Sequence, residues 1–268
     1  MTWKRRIAGG LGRVLYGSGL HAGFLRHRAV VAVFHRIDDR YPDDPITISE
    51  QSFLRYCRFF ARHFEVVPFG DLVAKLEQRR SLGGQLAITF DDGYRDNYHT
   101  AAPILERLGL PACFFVTTGF IGSSQVPWWD EKAGIRSEWM TWEEVRDLQA
   151  RGFEIGAHTV THADLGVVKG DAARQEIEGS KAALEAQLGR PVTLFAYPFG
   201  REGQMSETNR ALVRDAGFRC CPSAFGGLVR TGDDPYRFKR APVSGWYGSP
   251  AHFGLEVVRA RAGVASRR

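Results

Sequence analysis

The 268-residue chain has no apolar run near the roughly 18 residues that a membrane-crossing helix requires. It has only four cysteines, Cys57, Cys113, Cys220 and Cys221, with no C-x-x-C pair and no zinc-ribbon spacing. That argues against a thiolate metal site and makes reduced thiols in a cytoplasmic protein the expectation. Acidic residues are missing from the first 37 positions, and Asp38 is the first carboxylate. Ten of the 36 Lys and Arg residues lie in 1–28 and 259–268, leaving 26 basic against 30 acidic groups between them. A body of net charge −4 argues against a nucleic-acid-binding core. At 44% hydrophobic and 25% charged residues the chain is neither disordered nor fibrous.

The basic ends need their own reading. Trp3, Ile7, Leu11, Val14 and Leu15 recur at helical spacing among Lys4, Arg5, Arg6 and Arg13. Two readings stand: a short helix packed on the domain, or a basic amphipathic helix on an anionic membrane surface, peripheral to the inner membrane. A secretory signal is not expected, because Arg13 interrupts the apolar stretch and no A-x-A site follows. The expected organisation is a basic segment over 1–28, one domain over 29–250, and a C-terminal helix with a basic tail over 251–268.

Within the body, short apolar runs alternate with amphipathic stretches. Val30–Phe34, Leu86–Phe90, Ala112–Val116, Phe153–Ala157 and Val192–Ala196 read as buried parallel strands. Helical patterns cover 49–63, 70–79, 101–108, 142–150, 175–188 and 206–216, with Thr141 and Glu144 spaced as a capping box. Alternating β and α over this length implies a parallel α/β sheet, open or closed into a barrel.

Functional groups in such folds gather at the carboxyl ends of the strands. Here those ends carry His35, Asp91-Asp92, His158 with His162, and Tyr197-Pro198-Phe199. His158 and His162 stand at i, i+4, one above the other if a helical turn follows the strand. One carboxylate from another strand would complete a His₂/carboxylate set with open positions, the donor set of a catalytic zinc or similar ion. Adjacent carboxylates at a strand end repel each other unless a cation or a proton-transfer role holds them.

Three motifs in order, Thr89-Phe90-Asp91-Asp92-Gly93, His158-Thr159-Val160-Thr161-His162 and Tyr197-Pro198-Phe199-Gly200, resemble the polysaccharide deacetylases of carbohydrate esterase family 4, the NodB homology domain. The likeness implies a distorted (β/α) barrel of about seven parallel strands and metal-dependent removal of N-acetyl groups from hexosamines in poly- or oligosaccharides. It implies Asp92, His158 and His162 as ligands of a divalent metal, zinc foremost, Asp91 as general base, and the Phe199 N–H as an oxyanion donor. Where the family's third motif begins with arginine this chain has Phe195, so another cation is expected beside Asp91: Arg240, or Lys239 as the alternative.

The family's late histidine acid also lacks a clear counterpart, since His252 lies in a helical tail. Val31-Ala32-Val33-Phe34-His35 instead resembles the first strand of a permuted subgroup that includes poly-β-1,6-N-acetylglucosamine deacetylases, which makes His35 the implied general acid. The alternative is a strand-end histidine satisfied by Asp38 or Asp39. Tyr197, Pro198, Phe199, Trp129 and Trp246 are candidate sugar contacts, with core packing as the competing account of the aromatics. Two other functions compete: a deformylase or deacylase acting on a lipid-linked amino sugar, and a non-catalytic carbohydrate-binding relic. Both aspartates and both motif histidines argue against the relic.

Overall fold

The computed structural model describes residues 3–260, Ser137 excepted. Helices α1 (Trp3–Gly17) and α2 (Leu20–Leu25) lead into β1 (Arg28–Phe34). A small ladder of β2 (Arg36–Ile37) and β3 (Thr47–Ile48) precedes α3 (Glu50–His63), β4 (Glu65–Val66), α4 (Phe69–Glu77) and β5 (Gln85–Phe90). A π-helical turn at Asn97–Ala101 runs into α5 (Ala102–Arg107), followed by β6 (Cys113–Val116), α6 (Trp128–Ala133), α7 (Trp142–Ala150) and β7 (Glu154–Ala157). The remainder is α8 (Gly170–Leu188), α9 (Glu207–Asp215), β8 (Leu228–Arg230), β9 (Ala241–Pro242) and α10 (Pro250–Ala260). Arg261, Arg267 and Arg268 of the expected basic tail lie outside the described residues.

The seven-stranded sheet runs β7-β6-β5-β1-β8, with β4 added to β5 and β9 to β1. Residues 29–34 and 85–90 are buried throughout, because helices cover both faces of these central strands. The sheet is parallel except for β8, which runs antiparallel to β1 through Ala29↔Val229, so the expected all-parallel set is corrected at that strand. The strand expected over 192–196 shrinks to one parallel bridge, Ala157↔Phe195. Pro191 and Pro198 bracket it, and neither has an N–H to extend a ladder. Helix α8 starts five residues earlier than its apolar period suggests. The Thr141–Glu144 capping box forms as expected. All four cysteines are buried free thiols.

Helix α1 packs on the domain, but of its five apolar residues at helical spacing only Leu15 turns inward. Its packed face is Ala8, Gly9, Gly12 and Tyr16, while the apolar residues Trp3, Ile7, Leu11 and Val14 point outward. Glycine allows this: a Cβ on Gly12 would sit 1.9 Å from the Ala251 carbonyl oxygen of α10. Tyr16 donates its hydroxyl to the Gly254 carbonyl at 3.4 Å, and Phe253 of α10 packs edge-on against Tyr56 of α3. Gly12→Val should force α1 off α10 at about 1–3 kcal/mol, as overpacking does. The expected reading is a melting temperature lower by roughly 2–12 °C for a chain of this size. An unchanged melting curve would show that α1 is not seated there.

Candidate functional site

The register of β1 on β5 pairs Phe34 with Phe90, which sets His35 beside Asp91 although 56 positions separate them. The Asp91 N–H donates to the Phe34 carbonyl at 3.0 Å. Beneath the rim, Arg240 grips both Asp91 oxygens, Nη1 to Oδ1 at 2.8 Å and Nη2 to Oδ2 at 2.7 Å. Its Nε donates to the Ser223 carbonyl at 2.6 Å, and the side chain is fully buried. Lys239 is exposed, so the guanidinium and not the ammonium faces the carboxylate. Phe195 packs against Phe218 in the core. Burial pushes the Asp91 carboxyl up, but the attraction of Arg240, then of His158 and His35, outweighs it and leaves the pKa below its ordinary value.

Asp92, His158 and His162 each aim one donor atom at a common point, all within 4.8 Å of one another and all buried. The Nε2 atoms of His158 and His162 lie 3.4 and 3.2 Å from Asp92 Oδ1, which is buried without a hydrogen bond. His158 Nδ1 lies 2.7 Å from the Ala196 carbonyl, an acceptor only, so that nitrogen carries the proton. That leaves Nε2 turned toward an anionic oxygen; burial lowers the His158 pKa, but Asp91 and Asp92 outweigh it and favour a second proton at Nε2, the place that a bound cation would take. Two imidazole nitrogens and a carboxylate oxygen converging in a buried pocket fit an intervening divalent cation, and the Ala196 carbonyl orients the His158 ring as an outer partner should. Burial raises the Asp92 pKa, but His162 and His158 carry it well below the ordinary carboxylate range.

The expected helical turn at 158–162 is absent. The segment is a bend in which Thr159 (φ 65°) and His162 (φ 61°) are left-handed. Asp92 (φ 77°) and Phe199 (φ 61°) share that conformation, so four of the five left-handed non-glycine residues among those described stand at this rim. Such strain costs of order 1–3 kcal/mol each and persists only where the surroundings impose it. Glu176 of α8 does so for the histidine bend. It accepts the Val160 and Thr161 N–H groups at 2.9 Å each and the Thr161 hydroxyl at 2.7 Å. In the sequence Glu176 looks like any helix-surface glutamate, and no spacing singles it out.

Other supports are equally silent in the sequence. Asn97 in the π-turn donates to the His35 carbonyl at 2.7 Å, and Asp96 accepts the Ile37 N–H at 2.8 Å. Burial pushes the Asp96 carboxyl up to about 7. Asp38 pairs with Arg40 and Asp39 accepts the Glu50 N–H, so these carboxylates are engaged elsewhere than at His35. His35 instead stands within electrostatic reach of Asp91, Asp92 and His162.

The five candidate sugar contacts divide. Trp129 lies 4.6 Å from the His162 ring centroid and Phe199 lies 4.7 Å from it, both half-buried at the cluster. Trp129 Nε1 donates to the Tyr94 hydroxyl at 2.9 Å, while buried Arg36 stacks on Tyr94 at 4.3 Å and binds Asp130 at 2.7 Å. Tyr197 and Pro198 are buried instead of presented. The Tyr197 hydroxyl donates to the Gly200 carbonyl at 3.2 Å and shapes the loop from behind. Trp246 packs edge-on against Tyr247 and tilted against His252, under the Arg5 guanidinium at the α1–α10 junction. That junction also buries His252, whose Nδ1 accepts the Gly248 N–H, so the fallback acid is not placed with His35.

Comparison with known proteins agrees with this geometry. The sequence pattern of the polysaccharide deacetylase family matches residues 79–221, more than half of the chain. The chain belongs to that family. It is 28% identical over 157 residues to YxkH of Bacillus subtilis (strain 168), a match covering 59% of this chain and 50% of YxkH. It is 27% identical over 143 residues to the poly-beta-1,6-N-acetyl-D-glucosamine N-deacetylase of Escherichia coli (strain K12), covering 50% of this chain and 21% of that enzyme. These matches therefore span half or less of the relatives' length. IcaB from Ammonifex degensii superposes with a TM-score of 0.68 at 25% identity, over 85% of this chain and 97% of its own. Streptococcus pyogenes deacetylase PplD in complex with acetate shares the fold, with a TM-score of 0.71 at 19% identity over 86% of this chain and 98% of PplD. His35 and Arg240 lie outside the matched segment, one before it and one after.

The Asp91–Arg240 pair generates a stability prediction. Arg240→Met strands a buried carboxylate and should cost about 3–5 kcal/mol in denaturant melts. Adding Asp91→Asn should restore most of that loss, because the uncompensated charge goes with it. A single variant of near-normal stability would mean that Asp91 has another cation.

Proposed function

We propose that this protein hydrolyses the N-acetyl groups of N-acetylhexosamine residues in a poly- or oligosaccharide. The carrying observation is the convergence of His35, Asp91 and the Asp92–His158–His162 cluster on one rim. Two imidazoles and one carboxylate with open positions suit zinc. Such an ion, when bound, polarises the acetamide carbonyl and makes water acidic enough to attack near neutral pH.

The chain's own groups supply the rest. Asp91, kept ionised and aimed by Arg240, accepts the proton of the attacking water. The Phe199 N–H, in a loop fixed by Tyr197 and by the left-handed backbone, donates to the developing oxyanion. His35, set beside Asp91 by the β1–β5 register, protonates the leaving nitrogen, the C–N bond breaks, and acetate and a free amine leave. Trp129 and Phe199 offer aromatic surface beside the cluster for the apolar face of a hexosamine.

Acetate release from N-acetylglucosamine oligomers, lost on chelation and restored by zinc, is the expected result; chelator-insensitive release, or none with zinc supplied, refutes the reading. Asp91→Asn should keep the bound metal and lose about 10²–10⁴-fold in kcat. His35→Ala should lower kcat more than KM, and less so for an acetamide with a better leaving group. Equal losses on both substrates would remove His35 from the acid role.

A further inference from the structure

Helix α1 carries a surface that the deacetylase site does not use. Trp3, Ile7, Leu11 and Val14 are 66%, 52%, 49% and 67% exposed, and Leu20 at the start of α2 is 63% exposed. At helical spacing the four residues of α1 fall within roughly 80° of arc, opposite the Gly12 face that packs on α10. Lys4 stands on one flank of the stripe, and Arg6 and Arg13 on the other, all exposed. Arg26 follows directly after α2, and no acidic residue precedes Asp38. An outward row of large apolar side chains is costly in water, and this one recurs with period, so it is not a scatter of single exposed residues.

From this face we propose that α1 and α2 dock the protein on an anionic lipid surface. The apolar stripe enters the boundary between headgroups and acyl chains, and the flanking cations meet the lipid phosphates. The chemistry separates this occupant from others. Two copies of the chain pairing through this face would oppose Lys4, Arg6 and Arg13 of each, and residues 1–37 hold no carboxylate to pair with them. A nucleic acid would satisfy the cations and leave Trp3, Ile7, Leu11 and Val14 exposed. Only an anionic amphiphilic surface satisfies both. The geometry also fits the site: Arg5 reaches Trp246 in the segment after β9, so the amino end of α1 lies toward the strand ends that carry the rim. Nothing here depends on the reaction proposed above.

The test is co-sedimentation of the 268-residue chain with vesicles of phosphatidylcholine alone or mixed with phosphatidylglycerol. Binding should require phosphatidylglycerol and weaken with salt. Leu11→Glu should reduce it about 10- to 100-fold, the transfer cost of one leucine side chain. Replacing Lys4, Arg6 or Arg13 by Gln should cost about fivefold each. These positions are exposed, so melting temperature and acetate release from a soluble oligomer should stay at wild-type values. Three results overturn the proposal: no pelleting with phosphatidylglycerol vesicles, equal pelleting of Leu11→Glu, or concentration-dependent dimers that Leu11→Glu abolishes while vesicles bind nothing.

Discussion

Two consecutive carboxylates at the end of β5 are almost wholly buried, and the rest of the site answers to that constraint. An ionised carboxylate loses several kcal/mol of hydration in such a place and needs its own opposite charge. Asp91 receives a bidentate guanidinium from Arg240, and Asp92 faces two imidazole nitrogens where a cation fits. The division also separates roles. The carboxylate locked by arginine stays ionised and oriented, as the proposed proton transfer needs, while its neighbour is left free to face a cation, as the proposed metal site needs. The arginine's position in the chain matters less than its place under Asp91. A guanidinium delivered from just before β9 meets the same need as one delivered from position 195, so Phe195 is free to be a core residue.

The price of this rim is paid in backbone conformation. Asp92, Thr159, His162 and Phe199 are all left-handed, each at a point where the chain leaves or bends beyond a strand. Bends rather than helical turns bring both imidazoles and the Phe199 amide inward from separate segments. The scaffold imposes them through fixed partners: the Thr117 N–H on the Asp92 carbonyl, the Thr118 N–H on the Thr159 carbonyl, and Glu176 beneath the Val160 and Thr161 amides. A rigid parallel sheet can hold such strain because its strands are buried on both faces and cannot shift singly.

What the sequence made legible follows the same physics. Strands β1, β5, β6 and β7 were readable because doubly buried parallel strands are short continuous apolar runs, whereas the two-residue β2, β3 and β4 are too short to show one; His35, Asp91, Asp92 and His158 were readable because polar residues directly after such runs face one rim. Arg240, with Lys239 as its alternative, followed from the family resemblance, whose third motif begins with an arginine where this chain has Phe195. The failures have equally definite causes. Period alone finds an apolar stripe on α1 but not its direction, which small residues decided when Gly12 let α10 approach. The 192–196 run lost its ladder between two prolines. Tyr197 and Trp246 are aromatic like Trp129, and only tertiary placement separates a strut or junction residue from one beside the cluster. Glu176, Asn97 and Asp96 act through backbone groups of distant segments, which leaves no spacing to detect.

Strand adjacency finally accounts for the order of functional residues along the chain. The rim is assembled by lateral neighbours, β9, β1, β5, β6 and β7, and a parallel sheet requires only that each strand enter from the same side. β1 lies between β9 and β5, so it carries His35 directly beside Asp91, while Arg240, just before β9 and one strand further out on the same side, reaches in to Asp91 and Thr89. Moving the first strand from one terminus to the other changes which loop is cut and leaves those neighbours unchanged. The histidine beside Asp91 can therefore stand first in the chain without altering the rim, provided the end of β1 is held. Asn97 on the His35 carbonyl and Asp96 on the Ile37 amide supply that hold from the π-turn after β5, tying the position of His35 to the same strand that carries both carboxylates.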